Sequence, residues 1–422
     1  MKQIKVMVAH PEQQHSYRLA TALNRAGMLD CYVTTVYYGS RSLTRRIAAL
    51  LPQRWADKAK SRCCRGLPET KVIQLCEGEG LLKLLCQNVP LLRRWYYTAK
   101  LHVADRFAIK AARLAVRREV DAVIAFDGTS PLLFETLKQD APGIVRILDM
   151  SAANTLYMRQ IYERDLVLQP GYAAMLRNER QIVWDSERAA RSEREIASAQ
   201  HFLCGSEFVV QSLAFTGVDP GSCDVCPYGV DSDQFAYVPH EPPVAGQPIR
   251  CIYVGGTKEL KGISYLLEAF ELLESDVARL TVVGSCTLPS DLRSKYESLV
   301  DYVGMVPHDH IPTIIAAHDL LIMPSLGEGF SLTILEAMSC GLPVICTQNS
   351  GAVGIVNDGE EGRIVPIQDA DAIAKSVRWF AENRDVIPEM GAKARATAER
   401  YSWEHYGLCV TEALRSLGLD QR

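Results

Sequence analysis

The sequence predicts an α/β protein of two units, each an open parallel sheet with helices on both faces. Three observations carry that expectation. The chain has 422 residues, more than one hydrophobic core ordinarily serves, so about two domains are expected. Short apolar runs alternate with segments of helical periodicity, the pattern of repeated βα units. Between the halves, residues 238–248 read VPHEPPVAGQP, and four prolines with a glycine argue for a linker.

The second half shows the rhythm most clearly. CIYVGG (251–256) reads as a strand, and GISYLLEAFELL follows with Ile263, Leu266, Leu267, Phe270 and Leu273 on one helical face. Strands are then predicted at 279–284, 302–306, 319–325 and 343–347, with helices near 290–299, 309–317 and 331–339. In the first half, IKVMVA (4–9), DAVIAFD (121–127), IVRILDM (144–150) and HFLCGS (201–206) read as strands. Residues 41–118 read as basic, helical and poor in strands, an insertion or enlarged helices over that sheet. Tyr401, Ser402 and Trp403 anchor a last helix, about 401–422, expected to cross back onto the first unit. The expected domains are therefore 1–238 and 239–400. Ligands of open parallel sheets bind beyond the carboxyl ends of the strands, so the chemistry is expected in a central cleft between two facing Rossmann-like sheets.

Composition sets bounds on function. Hydrophobic residues make up 48% and charged residues 23%, the profile of a globular protein. The apolar run before His10 is too short for a signal peptide or membrane helix, and a cytoplasmic location is expected. The thirteen cysteines include Cys251 and Cys346 in apolar runs, where a thiol acts as a small hydrophobe. Cys223 and Cys226 form a lone CxxC, half of a zinc site with no second pair at the usual spacing, so no metal is assigned. Residues 41–118 carry 18 Lys/Arg against 5 Asp/Glu, which points to an anionic partner or a solvated helical face.

The most informative stretch is PSLGEGFSLTILEAMSCGLPVICT (324–347). A strand ends near Pro324, a loop holds Gly327 and Gly329, and a helix starts near Ser331, a good N-cap type. Gly341 ends that helix. Glycines before a helix start admit a ligand close to the backbone, and free N–H groups with the helix dipole favour phosphate. Glu336 lies about five residues in, roughly 7 Å along the axis, where a carboxylate can accept bonds from a ribose. Glu328 can do the same for hydroxyls beyond the phosphates. The same residues also fit an ordinary surface helix whose start Glu328 favours.

The run EGFSLTILEAMSCGLPVI resembles the paired-glutamate motif of the retaining glycosyltransferases of family 4, which have the GT-B fold. In that family seven residues separate the glutamates, as they separate Glu328 from Glu336. The likeness extends to VGGTKELKGISYLLEAF (254–270), YGVDSDQF (228–235) and NDGEEGRIVPIQDADAIA (357–374), and so covers the second half. It implies that Lys261 contacts the diphosphate and Glu336 the ribose of a nucleotide-sugar donor. It implies that Glu328 holds donor-sugar hydroxyls, helped by the N–H groups of Gly329, Phe330 and Ser331. Two positions depart from the pattern. Gly256 stands where many relatives carry a second phosphate-binding Arg, and Gly354 where they often have a Glu. Met305 and Val306 would lie near the base.

A nucleoside diphosphate is a good leaving group, so Lys261 and the helix start can supply the charge stabilisation without a metal or cofactor. The resemblance implies retention of configuration, and a front-face mechanism is expected. Asp149 stands where relatives often carry a His near the reacting carbon; Asp149 and Asp127 can orient an acceptor or cap loops. His10 and His15 face the expected cleft, and His308 and His310 read as a helix start. The expected acceptor is a glycan or a lipid-linked molecule. Arg45, Arg46, Arg54, Lys58, Lys60, Arg62 and Arg65, interleaved with Leu43, Ile47, Leu50, Leu51 and Trp55, read as a face for anionic membrane at the inner leaflet, or as a sheet-packing face with solvated cations. Competing readings are a nucleotide-sugar epimerase on the same fold and a non-catalytic partner subunit. A nucleic-acid partner is not expected.

Overall fold

The apolar runs become two parallel sheets. The computed structural model describes residues 3–419. The first sheet contains β1 (Val6–Ala9), β2 (Leu29–Thr34), β3 (Val72–Gln74), β4 (Ala122–Phe126), β5 (Val145–Met150), β6 (His201–Cys204) and β7 (Cys223–Val225), in the order β3-β2-β1-β4-β5-β6-β7. The second contains β8 (Ile249–Val254), β9 (Ala278–Val283), β10 (Val300–Gly304), β11 (Leu320–Met323), β12 (Val344–Thr347) and β13 (Gly362–Val365), in the order β10-β9-β8-β11-β12-β13. Neighbouring strands pair in parallel throughout. Every residue of β1, β4, β5, β11 and β12 is buried, because helices cover both faces of a parallel sheet and leave no polar side to alternate.

The strand order reverses between β1 and β4 in one sheet and between β8 and β11 in the other. Those switch points open crevices at the carboxyl ends of these strands. The loops after β1, β4, β8 and β11 therefore face the place where a ligand belongs.

All nine expected strands form, but four others were not anticipated. β3 and β7 are three-residue, half-buried edge strands, too short to display a period. β13 is GRIV, also short, and β2 carries Asp30 within its apolar run. The basic segment 41–118 is thus not purely helical, since β3 runs through it between helices Gln53–Lys60 and Glu77–Asn88. Helix Tyr96–Arg118 buries Val103, Phe107, Ala108, Ala111, Ala112 and Ala115 on one side; small alanines let that helix approach closely. Cys251 and Cys346 are fully buried strand residues. Residues 238–248 hold no helix or strand.

The last helix, Trp403–Ser416, returns to the first sheet's side of the molecule. Ser402 Oγ caps it by accepting from His405 N at 3.1 Å. Gly407 of this helix rests on Ala22 of helix Ser16–Arg25. Val230 N donates to Tyr401 O at 2.9 Å, and a Cβ on Gly229 would lie 2.1 Å from Trp403 N, so only glycine permits this crossing. Residues 420–422 of the expected helix lie outside the described residues. Among those described, no helix is long and apolar enough to cross a membrane.

Candidate active site

The loop after β11 is held open at the start of a helix. Glu328 N donates to Asn349 O at 2.9 Å, Asn349 Nδ2 to Leu326 O at 2.9 Å, and Thr347 Oγ1 to Ser325 O at 2.6 Å. Ser331 occupies the N-cap position of helix Leu332–Cys340, and Gly341 closes it at φ 90°. The N–H of Ser331, expected to face a ligand, instead donates to Ser350 O at 3.1 Å. Its Oγ caps nothing and is buried without a partner. The N–H groups of Gly329 and Phe330 have no partner among the described residues. Unpartnered donors at a helix start are an anion site in waiting.

Lys261 comes from the loop after β8. Its turn, Glu259–Lys261, is fixed by the Glu179 carboxylate, which accepts from Glu259 N and Leu260 N at 3.2 Å each. Gly262 follows at φ 72°, where an added Cβ would sit 2.0 Å from Pro324 O. The two loops are therefore locked together. Lys261 Nζ lies 3.3 Å from Glu328 Oε1, with the side chains 23% and 14% exposed. Ser325 Oγ donates to the same Glu328 oxygen at 2.6 Å. Glu336 is the fifth helical residue and its Oε1 lies 3.4 Å from His308 Nε2. Burial raises the Glu336 carboxyl above its usual value, against the opposing pull of His308 and Lys261. His308 Nδ1 lies 2.9 Å from Gln234 Nε2. Gly256 lies beside Ser285 and Lys258, its carbonyl accepting from Tyr253 Oη at 2.7 Å.

The first sheet supplies the facing wall. Ser206 Oγ donates to Gly329 O at 2.6 Å, and a Cβ on Gly329 would meet Ser151 O at 2.1 Å. Phe330 stacks edge-on to Tyr228 at 5.4 Å between centroids, and Tyr228 lies 4.5 Å from the His15 ring. His15 Nε2 is 3.0 Å from both oxygens of Asp149, and Tyr406 Oη donates to Asp149 Oδ2 at 3.4 Å. Asp149 thus does not cap a loop; it lies within β5 and pairs with His15. Asp127 does cap, accepting from Ser151 N at 3.2 Å and Oγ at 2.6 Å. Burial pulls the His10 pKa down to about 4, so that ring is neutral, and its Nε2 is buried without a partner.

The His15–Asp149 pair yields a pH prediction. Burial lowers the His15 pKa, but the Asp149 charge and hydrogen bond outweigh that and leave it above the ordinary 6.5. A raised folded-state pKa contributes stability that is fully present below 6.5 and lost as pH rises through the folded value. Wild type is therefore expected to exceed His15→Asn in urea midpoint by more at pH 6 than at pH 9. An equal gap at both pH values would contradict the ion pair.

The structure gathers Lys261, Glu328, Gly329, Phe330, Ser331 and Glu336 on one wall and Asp149 on the other. Gly354 lies in open space and Met305 on the exposed surface. Sequence reasoning missed the partners: Glu179, Tyr228 and His308. Tyr228 stood inside the noted YGVDSDQF run, but nothing in its neighbours indicates that His15 and Phe330 flank it. Arg180 Nε is buried without a partner, and its guanidinium lies 5.8 Å from the centroid of the Tyr162 ring.

This geometry meets known proteins at three points. Residues 248–383 match the family described as Glycosyl transferases group 1. A 177-residue stretch, 40% of this chain and 45% of the relative, is 30% identical to the O-antigen chain mannosyltransferase B of Escherichia coli. The chain spans about half the length of the curated relatives it matches. Sucrose-phosphate synthase from Thermosynechococcus elongatus aligns with a TM-score of 0.66 at 18% identity, over 98% of this chain and 99% of that one. Anabaena HepE in complex with UDP aligns with a TM-score of 0.60 at 15% identity, over 98% and 100%. At such identities the structural likeness speaks for the fold alone. The fold is GT-B, and residues 248–383 are similar to the glycosyl transferases group 1 family.

Proposed function

We propose that this protein transfers a sugar from a nucleoside-diphosphate donor to a hydroxyl of a glycan or glycolipid, with retention of configuration. The observation that carries the reading is the convergence of Lys261, Glu328 and Glu336 on unpartnered donors at one helix start, with the His15–Asp149 pair across the cleft. The O-antigen mannosyltransferase relative and the UDP complex of HepE support it. Lys261 and the Gly329 and Phe330 N–H groups hold the diphosphate, Glu336 the ribose, and Glu328 the sugar hydroxyls. The acceptor oxygen attacks the anomeric carbon on the face from which the phosphate leaves; the carbon–phosphate oxygen bond breaks, and the departing phosphate takes the acceptor's proton. His15 and Asp149 orient that acceptor.

The donor charge is met by Lys261 and backbone dipoles, so nucleotide binding is expected to need no divalent metal. In excess EDTA, at least one of UDP, GDP, ADP and dTDP should raise the melting temperature by several degrees, since ligand at a hundred times Kd adds about 2.7 kcal/mol. No shift with any of the four, or a shift that appears only with magnesium or manganese, refutes the donor site as drawn. A nucleotide-sugar epimerase would use the same His15–Asp149 pair around the sugar. Its product forms without acceptor, whereas the transferase product requires one.

A further inference from the structure

A cavity of about 650 Å³ opens between helices Leu43–Ala48, Gln53–Lys60 and Glu77–Asn88, within the range of small-ligand sites. Its wall is hydrocarbon from Ile47, Leu51, Trp55, Leu81, Leu82 and Leu85. Leu51, Trp55, Leu82 and Leu85 remain 43%, 37%, 56% and 50% exposed. Apolar surface left open on this scale marks an interaction site. The expected sheet-packing of this segment is thus only partial: Thr44, Ala48 and Ala56 are buried, while the large side chains line the cavity.

The polar groups are one-sided. Lys58 and Arg62 line the cavity, and no Asp or Glu does. Neither cation pairs with a carboxylate among the described residues, although Lys58 Nζ lies 5.2 Å over the Trp55 ring. An apolar trough edged by unpaired cations is complementary to a hydrocarbon chain that ends in an anion.

One end of the cavity meets the loop after β1. Gln13 lines the cavity and its Nε2 donates to Ser61 O at 3.2 Å. Gln13 belongs to the loop after β1 that carries His15. The buried Lys83 Nζ binds Glu12 Oε1 of that loop at 2.8 Å, which ties helix Glu77–Asn88 to the same place. A chain lying in the cavity would therefore border the loop that carries His15.

We propose that this cavity takes the acyl or isoprenoid chain of a phosphate-bearing lipid acceptor, with Lys58 and Arg62 receiving the phosphate. The acceptor role rests on the transferase reading; the chain-binding site does not. The test uses the full chain with phosphatidylcholine vesicles containing phosphatidic acid that carries a photoreactive diazirine in its acyl chain. Adducts are expected in residues 47–55 and 81–89. Leu85→Glu and Leu82→Glu, at half-exposed positions, should each cut adduct yield about tenfold by placing a charge in the trough. Leu91→Glu, outside the trough, should not. Replacing Lys58 and Arg62 by alanine should remove the preference for phosphatidic acid over diacylglycerol. Adducts confined to other segments, or yields indifferent to Leu85→Glu and Leu82→Glu, overturn the proposal. So does a dimer that Leu85→Glu dissociates, which would assign the trough to a second copy. The nucleotide melting shift is read in parallel. Trough adducts without it uphold the lipid site and sink the transferase; a shift without adducts does the reverse.

Discussion

Lys261→Ala and Glu336→Ala are each expected to lower kcat/KM roughly 10- to 100-fold while the fold survives, since a charge-assisted contact is worth about 1.5–3 kcal/mol. Neither side chain anchors the scaffold. Among the described residues Lys261 ion-pairs only with the partly exposed Glu328, and the turn that carries it is held by Glu179 and Gly262 instead. Glu336 is a carboxylate that burial already disfavours as a charge, so its removal should leave the melting temperature level or slightly higher. Loss of activity with an intact melt is the signature of a binding group. Kinetics close to wild type in both variants would remove the donor-site assignment.

Gly329→Ala is expected to cost on the order of 10²-fold, the scale of a misplacement of about 1 Å at a reacting centre. An added Cβ would lie 2.1 Å from Ser151 O, 2.7 Å from Ser151 C and 3.0 Å from Ala152 Cα. These are backbone atoms at the end of β5 and cannot swing aside. The two walls must separate, which breaks the Ser206–Gly329 hydrogen bond and draws Phe330 from Tyr228. Gly256→Ala is the control: its Cβ would lie 2.9 Å from Ser285 Oγ, a side-chain atom that can rotate away. Gly329→Ala should still bind nucleotide, because Lys261 and Glu336 stay on one wall, but its turnover should fall. Unchanged turnover for Gly329→Ala would show that the observed approach of the two walls is irrelevant to the reaction.

The candidate site was legible where its chemistry is local. Gly327 and Gly329 before Ser331, Glu336 five residues into a helix and Gly341 at its end belong to one strand–loop–helix unit, and the structure builds that unit where the pattern places it. Lys261 was legible for the same reason. Ser331 was legible as a position but not as a contact, because its N–H goes to Ser350 and only the Oγ remains available. Asp149 was recognised as a strand-end carboxylate, but its partner is a histidine 134 residues away.

By itself, the sequence determined the two βα series, the proline-rich break between them, and the glycine loop with its two glutamates. Hydrophobic period and turn chemistry are properties of chain neighbours and can be read in order. Only the tertiary structure decided that His15 meets Asp149, that His308 meets Glu336, that Glu179 holds the Lys261 turn, and that Gly329 abuts Ser151. It also decided that Leu51, Leu81, Leu82, Leu84 and Leu85 line a cavity. Such pairs form where parallel crossovers and the returning last helix bring remote loops to the same strand ends. No periodicity within either segment encodes the distance between them.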